Sequence, residues 1–164
     1  MWPKLIFTKL YNTQYAPAKP LVAWDGDCGF CHYWVLRWKM IIGDAVDFKP
    51  LMSVYQNFPD IDLKYFRQAI RLIDTDGRIY TGPAAVFRAF RYGSRYRWLM
   101  PLYENLKIVE WTSDHIYSMV SRNRNFMYKA TVRLWGRNPV RQKPYWVYYL
   151  GGLVGLVLAF LHLV

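Results

Sequence analysis

The feature that most limits the fold of this chain is the segment PLVAWDGDCGFCHYW at residues 20–34. The apolar run before Asp25 predicts a short buried strand, and Asp25 with the glycine after it predicts a tight turn. From Cys28 onward apolar residues recur every three to four positions until a glycine ends the pattern, which predicts a helix. Both cysteines of the chain, Cys28 and Cys31, therefore lie where a strand is followed by a helix.

The rest of the sequence predicts a thioredoxin-like α/β fold, in which a central sheet carries helices on its faces. AVDFKPL alternates between apolar and polar residues, as a second strand does, and Asp76-Gly77 between two extended runs predicts a hairpin. PAAVFRAFRYG predicts a helix over 83–93, whereas 94–111 has no clear pattern. A last amphipathic helix is expected to begin near Thr112, so the fold carries added C-terminal helices.

The last twenty residues, 145–164, contain no lysine, arginine, aspartate or glutamate. A helix of that length spans about 30 Å, the thickness of the hydrocarbon core of a bilayer. The alternative is a buried C-terminal helix, but a small domain seldom encloses a helix that is apolar on every face. We therefore predict an N-terminal extension at 1–18, a folded domain at 19–137 and one transmembrane helix at 144–164.

The charge distribution predicts how this helix is oriented. The net charge is +11, and seven basic residues but no acidic residue follow Asp114. A basic flank favours the cytoplasmic side of a membrane and attracts anionic lipid headgroups. The N-terminus lacks the long apolar core of a signal peptide, so we expect a single-pass membrane protein with a cytoplasmic N-terminal domain.

Two further segments carry residues suited to contact with a membrane surface. Apolar residues of the extension have near-helical spacing, which predicts a short surface helix: Trp2, Leu5, Ile6 and Leu10. Four arginines lie among aromatic residues, a composition that nucleic-acid-binding surfaces share: Arg88, Arg91, Arg95 and Arg97. A membrane-facing surface explains the same residues and agrees with the anchor, so we expect lipid rather than nucleic acid as the partner.

The cysteine segment by itself is compatible with four chemistries. Cys28, Cys31 and His32 match a covalent haem site, which requires export that the predicted topology denies. The same residues supply part of a zinc site, but such a site needs four ligands. Asp25 and Asp27 resemble the nucleophile motif of haloacid-dehalogenase-type phosphatases, which also requires a later lysine and further acids for Mg²⁺. The fourth is a redox-active dithiol, for which we expect no cofactor and no metal.

The dithiol interpretation fits the position of the two cysteines. Cys28 at a helix N-terminus meets unpaired backbone N–H groups, which favour the nucleophilic thiolate, whereas Cys31 one turn later is more shielded. Asp25 and Asp27 oppose this effect, so the sequence leaves the sign of the pKa shift of Cys28 open. A pair of buried cysteines without chemistry remains the alternative at this point.

Several blocks of the chain resemble the DCC family of thiol-disulfide oxidoreductases. They are WDGDCGFCHYWV, VDFKPL, IRLIDTDGRIYTGPAAVFRAF and DHIYSMVSRNRNFMY, spread over residues 20–135. The resemblance implies a thioredoxin-like fold and dithiol–disulfide activity, and its motif falls on Asp25, Gly26, Cys28 and Cys31. Members are often joined to integral membrane proteins, which implies a membrane protein as partner. Arg124 also matches a block. Its two interpretations are a position beside the dithiol, where it stabilises a thiolate, and a basic residue on a membrane-facing helix, and we favour the second. We interpret Tyr117 as a core residue rather than a catalytic one.

The leading hypothesis is a membrane-anchored oxidoreductase that acts on a protein disulfide or a small thiol. In it Cys28 attacks, Cys31 resolves the mixed disulfide, and Asp25 assists proton movement or positions the loop. The alternative is a thioredoxin-like adaptor or accessory subunit of an integral membrane protein complex, in which the dithiol has no catalytic role. Cytoplasmic placement makes a permanent structural disulfide improbable under either hypothesis.

Overall fold

The computed structural model describes residues 4–93 and 96–163 of the chain, with side chains described up to residue 157. Within this part, one mixed sheet has the strand order β2-β1-β3-β4. The strands are β1 (Leu21–Trp24), β2 (Asp47–Pro50), β3 (Arg71–Ile73) and β4 (Ile79–Thr81). Strand β1 pairs in parallel with β2 and antiparallel with β3, which pairs antiparallel with β4. This α/β arrangement is consistent with the predicted thioredoxin-like fold.

The helices of the sheet domain follow the predicted order. Helix α1 (Gly29–Ile42) links the two parallel strands, as such a pair requires. Helix α2 (Leu63–Gln68) precedes β3, and helix α3 (Pro83–Gly93) follows β4 with the bounds that its sequence predicts. The C-terminal part adds α4 (Leu99–Asn105), α5 (Lys107–Arg122), α6 (Arg124–Trp135) and α7 (Tyr145–Leu163).

Both faces of the sheet are covered, because successive residues of a strand point to opposite sides. Leu21 and Ala23 of β1 belong to a core cluster that contains Phe66 of α2. Val22, between them, belongs to the opposite cluster, together with Ala85 of α3. An apolar run without polar alternation is therefore what strand β1 requires.

The β3–β4 hairpin confirms the turn that the sequence predicts. Gly77 has a φ of 80° and donates its N–H to the carbonyl of Asp74 at 3.0 Å. The Asp74 carboxylate is buried and accepts hydrogen bonds from the Arg88 guanidinium, the nearer at 2.7 Å. Arg88 is therefore an internal ion-pair partner rather than part of a free basic surface, and Arg95 of that predicted cluster lies outside the described residues.

The N-terminal extension is not helical over its described residues, which corrects the expectation of a surface helix. Phe7 is 6% exposed and packs edge-on against Tyr117 with ring centroids 5.5 Å apart. Lys9 reaches helix α5, where it contacts Glu110 and the buried Asp114, each at 2.6 Å. The near-helical spacing reflects contacts with the domain itself. Trp2 lies outside the described residues.

The predictions for residues 94–135 were wrong in two respects. Helices α4 and α5 occupy most of the segment that we expected to be irregular, and α5 begins five residues before Thr112 at Lys107. The single amphipathic helix is in fact two helices that separate at Asn123, whose φ of −118° and ψ of 33° are not helical. The break carries neither glycine nor proline, and Asn123 is only a weak stop signal.

Helix α7 coincides with most of the predicted transmembrane segment at 144–164. The side chains of residues 145–157 are exposed along it. In the part of the chain whose side chains are described, no helix combines the length and the apolar character needed to cross a membrane. The structure therefore does not show the predicted transmembrane helix.

Candidate functional site

Helix α1 begins at the first cysteine. Cys28 is its N-cap, with the extended backbone that a capping residue adopts, and its Sγ accepts a hydrogen bond from the backbone N–H of Cys31 at 3.2 Å. The turn before it is closed by the Cys28 N–H, which donates to the carbonyl of Asp25 at 3.3 Å. The strand–turn–helix junction thus fixes both cysteines through the backbone.

The two cysteines are free thiols whose sulfur atoms lie together. Cys31 Sγ donates to Cys28 Sγ across 2.6 Å, and both residues are partly buried. A disulfide needs a sulfur–sulfur separation of about 2.05 Å, so oxidation requires only a small movement of either side chain. The arrangement can therefore alternate between a dithiol and an intramolecular disulfide.

The two thiols differ in acidity. The hydrogen bond from Cys31 lowers the pKa of Cys28 to about 6, against the opposing effect of burial. The Cys31 N–H and the positive charge of Arg124 lower it further, whereas Asp25 opposes them. The pKa of Cys31 is raised, because its thiol proton is held by Cys28 and because the residue is buried. At neutral pH Cys28 is therefore the thiolate and Cys31 the thiol.

Asp25 and Arg124 form an ion pair at this site. Arg124 Nη1 donates to Asp25 Oδ2 at 2.7 Å, and the two side chains are 23% and 35% exposed. Burial lowers the pKa of Arg124, but its electrostatic interactions with Cys31, Tyr117, Cys28 and Asp25 outweigh this effect and raise that pKa. Our interpretation of Arg124 as a membrane-facing surface residue is corrected: α6 carries it to the dithiol.

The other polar residues of the motif do not form a metal site. Asp27 is exposed, and its N–H donates to Asp25 Oδ1 at 3.2 Å. His32 is also exposed and stacks on Trp24 with ring centroids 5.6 Å apart. Among the described residues no three potential metal ligands of the histidine, cysteine or carboxylate type come together. Among the described residues, the zinc and phosphatase interpretations therefore lack the cluster of metal ligands that each requires.

An apolar cavity of about 400 Å³ opens beside the dithiol. Its polar margin includes Asp25, Cys31 and Arg124. Helices α1, α3 and α5 supply most of its walls, with strand β1 at one side. Aromatic side chains dominate these walls, among them Trp24, Phe30, Trp34, Trp38 and Phe87. Tyr117 also lines the cavity, and its hydroxyl accepts from the Ile70 N–H at 3.1 Å, so it has contacts of a structural kind.

The structure thus brings Cys28, Cys31 and Asp25 together as the sequence predicts, and adds two features that the favoured prediction did not include. One is the position of Arg124 beside the dithiol, which was the less favoured of its two interpretations. The other is the cavity, whose walls come from helices α1, α3 and α5, which are separated by other elements in the sequence. No local pattern reports such a juxtaposition.

The chain matches a known protein family. Residues 22–130, more than half of the chain, match the family model described as DCC1-like thiol-disulfide oxidoreductase. The matched segment contains the cysteine pair, Asp25 and Arg124, and reaches into helix α6. No curated protein and no solved structure matches the chain.

Proposed function

Because the chain belongs to the DCC1-like thiol-disulfide oxidoreductase family, we propose that its Cys28–Cys31 pair exchanges electrons with a protein disulfide or a small thiol. The observation that carries this proposal is the contact between the two sulfur atoms at the start of helix α1, 2.6 Å apart, with Cys28 as the acidic partner. A thiolate is the species that attacks disulfides.

The exchange proceeds in two steps. The Cys28 thiolate attacks one sulfur of the substrate disulfide, so that a mixed disulfide forms and the other substrate sulfur leaves as a thiolate. Cys31 then loses its proton and attacks Cys28 Sγ, which closes the intramolecular disulfide and releases the second substrate sulfur. Two electrons pass from the cysteine pair to the substrate, and the reverse sequence oxidises a substrate dithiol.

Asp25 is assigned to the second step. Cys31 must be deprotonated before it can attack, and its raised pKa makes that unfavourable without a base. Asp25 is the carboxylate that borders the cavity with Cys31. Its pairing with Arg124 holds the carboxylate in one orientation and supplies a positive charge that favours each thiolate as it forms.

The test is a redox titration of the full chain in glutathione buffers, read by the mass added on thiol trapping. A reversible two-electron transition, roughly between −120 and −270 mV as in known dithiol carriers, supports the proposal. Cys28→Ser should abolish exchange, and Cys31→Ser should accumulate the mixed disulfide. Full exchange activity in Cys28→Ser, or no intramolecular disulfide at any potential, would overturn it.

We propose further that residues 144–164 anchor the domain to a membrane, with the domain on the cytoplasmic side. Support comes from the exposed side chains of helix α7 between Tyr145 and Val157, which include no charged residue, and from the basic residues before it.

The full chain should float with vesicles of neutral and anionic lipid, and Leu153→Lys with Leu156→Lys should abolish flotation. The same substitutions at exposed Ile108 and Ile116 serve as the control. Full flotation of the α7 variant would contradict the anchor.

A non-enzymatic adaptor is the second candidate. Large apolar side chains remain exposed on helices α5 and α6, among them Ile108 (67%), Met119 (55%) and Phe126 (69%). A contiguous patch of exposed apolar side chains marks a protein–protein contact, and the adaptor requires that these residues form one. If the adaptor is correct, the double variant Cys28→Ser with Cys31→Ser should leave assembly with an integral membrane protein unchanged, whereas Phe126→Asp should weaken it.

A further inference from the structure

Helix α6 covers the start of helix α1 with an aromatic ring. One turn after Arg124, which pairs with Asp25, the ring of Tyr128 lies against Gly29. Its Cζ atom is 3.7 Å from the position that a Cβ atom of residue 29 would take. Gly29 directly follows Cys28, the N-cap of α1. Tyr128 therefore borders the end of the helix at which the attacking cysteine lies.

The same tyrosine lines a surface pocket of about 410 Å³ together with Lys129, Val132 and Arg137, and we call it the basic pocket. Lys129 and Arg137 are exposed, and within the described part of the chain neither has a carboxylate partner. No acidic residue follows Asp114 in the sequence, so the segment that forms the pocket carries no neutralising charge. Cations without counter-ions favour an anionic ligand.

The attacking sulfur is reached from outside the apolar cavity. Cys31 is among the described residues that line this cavity, whereas Cys28 is not. A disulfide that Cys28 attacks therefore approaches at the start of α1, where Gly29 has no side chain and Tyr128 is 39% exposed. Through Tyr128, the basic pocket adjoins this approach.

The charges on this side of the dithiol specify the ligand further. Asp25 is neutralised by Arg124. Asp27 is exposed and has no cationic partner among the described residues. The approach to Cys28 thus presents the two cations of the basic pocket and one free carboxylate. A complementary substrate arm carries two carboxylates and one ammonium group.

We propose that the basic pocket selects a small anionic disulfide of the glutathione type as the substrate of Cys28. Each half of glutathione disulfide carries two carboxylates and one ammonium group, which match the two cations and Asp27. A pocket of about 410 Å³ has the size of a small-molecule site. The proposal rests on the exchange function proposed above and names the substrate class of the same cysteine pair.

The reaction balances as a two-electron exchange. The Cys28 thiolate attacks one sulfur of glutathione disulfide, whose sulfur–sulfur bond breaks, and one glutathione leaves as a thiolate. The second glutathione stays on Cys28 as a mixed disulfide, with its carboxylates at Lys129 and Arg137. Cys31 then attacks Cys28 Sγ, and its proton passes to the second glutathione, which leaves as a thiol. The protein keeps the intramolecular disulfide, and two electrons have passed to the substrate.

The test compares three small disulfides of different charge on the reduced full chain in neutral detergent. They are glutathione disulfide, which is anionic, bis(2-hydroxyethyl) disulfide, which is neutral, and cystamine, which is cationic. Lys129→Glu and Arg137→Glu should each lower the second-order rate constant for glutathione disulfide about fivefold. Both variants should leave the rate constant for the neutral disulfide unchanged and raise the one for cystamine. These differences should shrink in 0.5 M salt, where the Debye length is only about 4 Å.

Lys39→Glu is the matched control, because it makes the same change of charge at an exposed residue in the last turn of α1. Eleven residues of helix separate it from Cys28, a rise of about 16 Å. That distance exceeds the Debye length of about 8 Å at physiological ionic strength. This variant should reduce all three disulfides as the unmodified chain does, and the neutral disulfide reports on every variant whether the dithiol is intact.

The contrary outcomes separate the two proposals. If none of the three disulfides is reduced, the exchange function fails and the substrate assignment with it. If all are reduced and glutathione disulfide is insensitive to Lys129→Glu and Arg137→Glu, the basic pocket is refuted and the exchange function stands. The pocket is also refuted if both variants slow the neutral disulfide equally, since they then act through the acidity of Cys28, or if Lys39→Glu has the same effect.

Anionic lipid is the other source of negative charge that these cations could meet. Flotation of the full chain with anionic vesicles, measured on the same variants, distinguishes the two. If Lys129→Glu and Arg137→Glu weaken flotation and leave the reduction of glutathione disulfide unchanged, the cations belong to the lipid contact and the substrate assignment is overturned.

Discussion

Arg124 and Asp25, 99 residues apart in the sequence, form an ion pair with an N–O distance of 2.7 Å directly beside the cysteine pair. The pair joins helix α6 to the turn before helix α1. Its charges act on Cys28 in opposite directions, because Arg124 favours the thiolate and Asp25 disfavours it. The acidity of Cys28 therefore depends on how α6 packs against the dithiol.

Arg124→Gln should raise the pKa of Cys28, because the variant removes the positive charge and leaves the opposing Asp25. A shift of about one pKa unit is the expected size for a partly exposed charge. The measurement is the pH dependence of iodoacetamide alkylation of the reduced protein. Arg133→Gln, at an exposed residue of the same helix, is the control and should leave the profile unchanged. Equal profiles for the two variants would contradict a role for Arg124.

Cys31→Ala should raise the pKa of Cys28 more than Arg124→Gln does. The hydrogen bond from Cys31 Sγ is the largest cause of the low value of about 6, and alanine removes that donor. Cys31→Ser keeps a hydroxyl donor, so the pKa of Cys28 in this variant should lie between its values in the unmodified protein and in Cys31→Ala. Thiolate absorbance near 240 nm, followed from pH 4 to 10, measures each value. A pKa of Cys28 that stays near 6 in Cys31→Ala would show that the helix N-terminus alone sets it.

The reduced protein should become more stable as the pH rises from 6 to 9. In this range the folded state holds Cys28 as a thiolate, whereas the unfolded state, with a thiol pKa near 9.0, still binds the proton. Because the unfolded state binds more protons, the free energy of unfolding increases with pH, and this contribution is lost as the pH falls through 6. Solvent screening of a partly exposed thiolate limits the gain to about 1–2 kcal/mol.

Urea denaturation in the presence of a phosphine reductant measures this pH dependence. Cys28→Ser has no thiolate and should lack the rise, so the difference between the two profiles isolates the cysteine from other titrating groups. Parallel profiles for the two proteins between pH 6 and 9 would show that the thiolate adds nothing to stability.

Lys9→Met should destabilise the fold by about 3 kcal/mol, because it leaves the buried carboxylate of Asp114 without its cation. Lys19→Met is the matched control: the pair of Lys19 with Asp47 is exposed on both sides and should contribute less than about 1 kcal/mol. Urea denaturation of both variants at one pH gives the comparison. Equal losses would mean that the Lys9 contact is no more important than a surface ion pair.

The parts of the fold that the sequence predicts well are those marked by local signals. The apolar run ending at Asp25, the Asp76-Gly77 turn and the Pro83 and Gly93 limits of helix α3 each carry such a signal, and the structure has an element at each. The break at Asn123 carries only a weak local signal, because asparagine occurs at helix ends but also within helices. Tertiary contacts decide such boundaries more than propensity does.

The residues of the site likewise include some that a local signal predicts and one that only the fold brings in. Cys28, Cys31 and Asp25 lie within seven residues, so the strand–helix junction alone predicts that they meet. Arg124 meets them only because α6 folds back over the start of α1, and its positive charge adds to the lowering of the Cys28 pKa that the hydrogen bond from Cys31 causes. The cysteine segment by itself contains the two acids, which raise the pKa of Cys28, and the helix N-terminus, which lowers it. It does not contain Arg124.

The contact between Lys9 and helix α5 has a consequence for the order in which the chain can fold. Lys9 and Glu110 are 101 residues apart, so the N-terminal segment leaves the ribosome long before its partner exists. At a synthesis rate of about 5–20 residues per second, that interval is roughly 5–20 s. During this interval the residues of β1, α1 and the hairpin are synthesised, whereas the residues of α5 that Phe7 and Lys9 contact are not yet present. The segment before β1 should therefore dock late, and it closes the domain only after α5 has been made.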